Sequence, residues 1–221
     1  MKNISVLLFL LITLALNAQN NKTSGLNARQ FHKYWKVESE SPDYKVTFLG
    51  DTVEILSPKG LTLWRKEKMS GKVTIEYDAC VVVEVEGDRL SDLNCFWMAS
   101  DPQYPDNIWK REKWRSGIFL NCYSLQLYYM GYGGNHNSTT RFRRYDGNEA
   151  AITNAKARPA ILKEYTDADH LLEANKWYHI KITNENNRVS YYINELAKTN
   201  SKGGNGHANR DLGNHAECRF G

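Results

Sequence analysis

The chain has 221 residues, a formal net charge of +4, and 13 Tyr and 6 Trp against 4 Cys. So small a positive charge excludes a nucleic-acid surface as the main business of the protein. The absence of CxxC and Cys/His spacings excludes a zinc module, and the absence of HExxH, GxSxG and phosphate-loop patterns argues against zinc proteases, α/β-hydrolases and nucleotide enzymes.

Lys2 precedes the apolar run Val6 to Leu16, which ends at Asn17-Ala18-Gln19. This reads as a secretory signal over residues 1–18, cut after Ala18, with Leu16 bulkier than the usual residue at that subsite. About 11 apolar residues fall short of the roughly 20 that span a bilayer. The expectation is therefore export to the periplasm or beyond, with no membrane attachment after cleavage. Residues 19–33 read as a polar linker, 34–196 as one domain, and 197–221 as an atypical, disordered or truncated tail.

Inside the domain the repeat is two residues, not 3.6. Lys45–Leu49 and Thr52–Leu56 flank Gly50-Asp51, a tight hairpin signal. Leu61–Arg65 follows a Pro-Lys-Gly turn. The clearest strand is Lys72–Val83, where Val73, Ile75, Tyr77, Ala79, Val81 and Val83 share one face. In Asp92–Ala99, Asp92, Asn94, Phe96 and Met98 face one way and Leu93, Cys95, Trp97 and Ala99 the other. Asp101–Ser116 is a long loop, the kind that carries function in compact domains. Strands resume at Ser124–Met130 and, after a glycine-rich turn, at Ser138–Tyr145. Asp146–Ala160 is an irregular insert, and one helical turn is expected within Thr166–Leu172. Trp177–Thr183 and Arg188–Asn194 make a last hairpin. Many short alternating strands predict an all-β, two-sheet antiparallel β-sandwich of jelly-roll type. The cysteines read as buried free thiols, with one disulfide left open for an exported chain.

Glycoside hydrolysis uses two carboxylates at set separations, and the chain has no Glu-x-Asp-x-Glu run; Glu84-Val-Glu86-Gly-Asp88 is the nearest and reads as a solvated strand end. The polar strand pair offers different parts. Arg141 and Arg143 share a face with Thr139 and Tyr145. Gln126 and Tyr128 share one face of their strand, Leu127 and Tyr129 the other. Asn135 and His136 sit in the turn between. A polysaccharide lyase needs a neutraliser for the uronate carboxylate, a base for the C5 proton and an acid for the leaving oxygen. Arg141 and Arg143 fit the first role, and Tyr128 or His136 the proton transfer. Asp92, Asn94, Gln126 and Asn135 suit sugar hydroxyls, with Trp97 and Tyr129 as stacking rings if their phase faces outward. The same face equally suits binding without chemistry, and dispersed carboxylates leave hydrolysis open. No cofactor or metal is expected, apart from a structural calcium for which Asp92 is the hard-oxygen candidate. The partner is a polysaccharide or oligosaccharide, not a nucleic acid.

Ser91-Asp-Leu-Asn-Cys-Phe-Trp-Met-Ala-Ser-Asp-Pro102 and Tyr129-Met-Gly-Tyr-Gly-Gly-Asn-His-Asn-Ser-Thr-Thr-Arg-Phe-Arg-Arg-Tyr-Asp-Gly147 resemble the bacterial DUF6250 family. Ile75-Glu-Tyr-Asp78 and Val189-Ser-Tyr-Tyr-Ile-Asn194 extend the resemblance over roughly residues 34–196. It implies a concanavalin A-like lectin/glucanase jelly roll, loosely similar to YesU-type proteins associated with pectin breakdown, and a carbohydrate context without a defined reaction. The tail departs from the pattern. Where such domains continue into a Gly-Phe-Arg-type strand and a closing strand, this chain reads Gly203-Gly-Asn-Gly-His207 to Arg219-Phe-Gly221, which predicts an unpaired sheet edge.

Overall fold

The structure, a computed structural model, describes residues 6–11, 28–50, 52–185, 188–195 and 216–219. Among these, antiparallel strands dominate: β1 (Val6–Leu11), β2 (Trp35–Ser39), β3 (Lys45–Leu49), β4 (Thr52–Ser57), β5 (Leu61–Arg65), β6 (Val73–Val82), β7 (Leu93–Ser100), β8 (Gln126–Gly133), β9 (Thr139–Asp146), β10 (Ile161–Tyr165), β11 (Trp177–Glu185), β12 (Arg188–Glu195) and β13 (Ala216–Arg219). They form a seven-stranded sheet in the order β13-β12-β11-β6-β1-β4-β3, a four-stranded sheet in the order β10-β9-β8-β7, and a β2-β5 ribbon. The protein is an all-β, two-sheet antiparallel sandwich. No helix among the described residues is long and apolar enough to cross a membrane.

The two-residue alternation builds the core. Ala79 and Val81 of β6, Ile180 and Ile182 of β11 and Tyr191 of β12 meet Leu93 and Trp97 of β7, Tyr128, Met130 and Tyr132 of β8 and Phe142 of β9. Trp97 lies between rings at its centre, 5.8 Å from Tyr128, 5.8 Å from Phe142 and 6.0 Å from Tyr191. Burying an aromatic side chain of this size contributes roughly 4–6 kcal/mol of transfer free energy. A second core joins the ribbon to the large sheet, with Phe31, Val53 and Ile55 at its centre.

Several boundaries differ from the sequence expectation. Helix α1 (Ala28–Tyr34) occupies part of the expected linker because Phe31, only 1% exposed, anchors it under the ribbon. β1 falls within the expected signal segment and pairs with β4 and β6, Leu8 opposite Ile55 and Val81. β2 and β10 had no strand expectation. Residues 216–219, in the expected tail, pair along β12; residues 196–215 lie outside the described set. Cys80, Cys95 and Cys122 lie outside any disulfide.

The long loop also takes on structure. It folds into a 3-10 turn (Ile108–Arg111) and helix α2 (Glu112–Arg115), and the segment after it adds a second 3-10 turn (Phe119–Ser124). Two buried ion pairs hold it. Arg115, fully buried, donates to both oxygens of Glu38 on β2 at 2.6 and 3.2 Å. Arg111 grips the fully buried Asp101 through two bonds of 2.8 Å and also pairs with Glu149 of the second insert. Gly60 and Gly117 touch where the loop crosses the ribbon; a Cβ on Gly60 would lie 2.5 Å from the Gly117 carbonyl.

Candidate functional site

The outer face of the four-stranded sheet, the ribbon edge and the long loop enclose a cleft of about 1480 Å³. Register decides which residues it receives. Asn94, Gly131, Arg141 and Glu164 form one row across β7, β8, β9 and β10. Phe96, Tyr129, Arg143 and Ile161 form the next. Leu127 and Tyr145 follow.

This register corrects one part of the sequence reading. Tyr128 pairs with Arg144 and belongs to the opposite face, where it is 5% exposed and packed on Trp97 and Phe142. It has no route to a ligand in the cleft, so it cannot be the proton-transfer group there. Trp97 shares that buried phase: it borders the cleft but is packed among core rings, leaving 5% of it exposed for stacking. Gln126 is exposed at the end of β8, its amide reaching the Asp146 carbonyl at 3.5 Å, and does not line the cleft. Asp92, Asn94, Tyr129, Asn135, His136, Arg141 and Arg143 do line it.

Tyr129 takes the place that Tyr128 was expected to fill. Its phenol donates to Asn94 Oδ1 at 3.1 Å. The ring can lie there because residue 131 is glycine; a Cβ at Gly131 would come within 2.2 Å of the phenol oxygen. Burial, reinforced by the negative Asp92, raises the Tyr129 pKa, and Arg143 and Arg141 only partly oppose the rise. Tyr129 is therefore a protonated donor at neutral pH, not a phenolate.

The turn after β8 is strained. Asn135, His136 and Asn137 all have left-handed backbone, with φ of 53°, 58° and 56°. Left-handed backbone costs roughly 1–2 kcal/mol per residue that is not glycine. The neighbours hold the turn in place. The Asn137 amide donates to the Leu172 carbonyl and its oxygen accepts from the Leu172 N–H, each at 2.8 Å. Thr140 donates to the His170 carbonyl at 2.6 Å and accepts from the Gly133 N–H at 3.1 Å. The Ser91 hydroxyl and the Asp92 N–H both bond the Gly133 carbonyl, at 2.9 and 3.1 Å, which docks the start of β7 against the turn. Asn135 and His136 are thereby exposed on the turn that joins β8 to β9, where they line the cleft. Such strain concentrates at functional sites because only surrounding structure can maintain it.

Aromatic rings supply the rest of the surface. Trp64 stacks on Phe96 at 5.9 Å, and Phe119 meets Phe96 at 6.1 Å and Tyr129 at 5.5 Å. Trp64 and Phe119 come from the ribbon and the long loop, and their part in the cleft was missed in the sequence reading; the only signal was the density of aromatics in those segments. Charge is distributed in pairs. Arg89 binds Asp92 and Arg141 binds Glu164. Arg89 thus already holds the carboxylate considered for calcium, and among the described residues no group of three or more His, Cys, Asp or Glu is arranged to hold a metal. The face combines planar hydrogen-bonding groups, rings and cations within one concave surface, an arrangement able to hold hydroxyls, C–H faces and a carboxylate together.

The profile of a domain of unknown function, DUF6250, matches residues 55–206, and the chain belongs to that family. No curated protein and no solved structure matches the chain.

Proposed function

We propose that this DUF6250 member is an exported protein that degrades an acidic, uronate-containing polysaccharide by β-elimination. The reading is carried by the strained Asn135–Asn137 turn, which sets His136 at the edge of a cleft holding two arginines and a protonated tyrosine. His136 removes the C5 proton. The C5–H electron pair forms the C4=C5 double bond as the C4–O bond breaks. Tyr129 gives its proton to the departing oxygen, and arginine charge in the cleft offsets the charge gathered on the uronate carboxylate. Asn94, Asp92 and Asn135 meet ring hydroxyls, and Trp64, Phe96 and Phe119 offer apolar faces.

Incubating the full chain with polygalacturonate and with alginate, while following ultraviolet absorbance and new reducing ends, tests the assignment. Both signals should rise, and Tyr129→Phe or His136→Ala should lower the rate by about 10²–10⁴-fold. Reducing ends without absorbance would mean hydrolysis. Intact binding with neither signal would favour the second reading, a non-catalytic carbohydrate-binding module. That reading draws support from the Arg–carboxylate pairing: both Asp92 and Glu164 are already engaged.

A further inference from the structure

The two arginines of the cleft floor are not equivalent. Arg141 meets the Glu164 carboxylate across the β9–β10 pair, Glu164 being its direct register partner. Its charge is matched before any ligand arrives. Arg143, on the next row, donates instead to the Pro159 carbonyl. A carbonyl satisfies a hydrogen bond but leaves the charge unbalanced, and among the described residues no carboxylate forms an ion pair with Arg143. Arg158, next to that proline, lies over the Tyr123 ring with its guanidinium 5.7 Å from the centroid. Both Arg143 and Arg158 line the cleft.

A ligand carboxylate at Arg141 would exchange one ion pair for another and gain little. At Arg143 it adds a charge partner without removing one, in a forked geometry that suits a planar carboxylate. We propose that Arg143, with Arg158 beside it, is the receptor for the substrate carboxylate, and that Glu164 is a resident carboxylate that keeps Arg141 from competing. This assignment rests on the acidic-glycan reading above and specifies its anion subsite.

The test uses the full chain, a defined oligogalacturonate and its methyl ester, with affinity measured by calorimetry. Arg143→Gln should weaken the free acid at least tenfold and leave the methyl ester within twofold. Arg141→Gln should change the free acid less than threefold. Glu164→Gln should tighten it, because Arg141 then becomes a second unmatched cation. Arg143→Lys, which keeps the charge and loses the fork, should show a smaller loss confined to the free acid. A larger loss from Arg141→Gln than from Arg143→Gln, or equal losses on acid and ester in both Arg143 variants, overturns the assignment. A sulfated galactan oligosaccharide bound through Arg143 more tightly than the uronate would overturn the carboxylate in favour of sulfate. Wild-type protein that binds neither the uronate nor its ester removes the acidic-glycan reading itself, a failure distinct from exchanged arginine roles.

Discussion

Replacing Arg115 with methionine isolates the buried ion pair that ties the long loop to β2. Arg115 is fully buried and Glu38 is 5% exposed, and two hydrogen bonds of 2.6 and 3.2 Å join them. Each bond to a charged group is worth about 1.5–3 kcal/mol net. Removing one partner of such a pair strands the other and costs about 3–5 kcal/mol. For a chain of this size that corresponds to a midpoint drop of roughly 6–20 °C. Burial already raises the Glu38 pKa, and the hydrogen bond and charge of Arg115 are what pull it back. Without Arg115 it rises further. An acid whose folded pKa exceeds its unfolded one binds more protons when folded, so it favours the folded state as pH falls through the folded pKa. The variant should therefore be most destabilised at neutral pH and should approach wild type on acidification. Urea titrations of wild type, Arg115→Met, Glu38→Leu and the double variant, each across the acid range, give both the magnitude and the cycle. The double variant should recover most of the loss, because a buried pair replaced by apolar groups is often near neutral. A single-variant cost below about 1 kcal/mol, or a gap that does not narrow in acid, would refute the reasoning.

Three further outcomes follow from the geometry. His136→Gly should be about 1 kcal/mol more stable than His136→Ala, since glycine accepts left-handed backbone freely; equal thermal midpoints would mean the turn relaxes. Gly131→Ala should cost about 1–3 kcal/mol by overpacking and displace the Tyr129 phenol from Asn94, visible as a lost carbohydrate-binding signal with far-ultraviolet circular dichroism unchanged. His179 hydrogen-bonds Asp78 at 2.7 Å, and that bond is the main cause raising its pKa. Its stabilising contribution is full below the unfolded histidine value and fades as pH rises through the folded one. An NMR titration should place His179 above an ordinary histidine and return it toward normal in Asp78→Asn; a titration indifferent to that change would contradict the pair.

The strands with one wet and one dry face were legible from sequence. β6 and β11 announce their inner residues through Ala79, Val81, Ile180 and Ile182, and the placement of Arg141 and Arg143 opposite Phe142 and Arg144 followed from the same repeat. β8 was different. Every residue from Leu127 to Gly133 is buried, so the alternation separates two faces without telling which one turns to the cleft. Only the register with β9, Tyr129 opposite Arg143, shows that Tyr129 and not Tyr128 reaches the cleft. β10 was missed because Ile161 to Glu164 are exposed and alternate little. The burial of Arg115 was illegible because a charged residue in a loop looks solvated until its carboxylate, 77 positions away, is known.

Arg111 binds a carboxylate at the head of one insertion and another at the start of the next. Two irregular segments that sequence treats as separate are thereby riveted into one panel. Displacing either segment alone would break the Arg111 bridge together with the Gln103 amide, which donates to the same Glu149 carboxylate at 2.7 Å. Opening the cleft on this side therefore means breaking a buried charge contact as well as bending backbone.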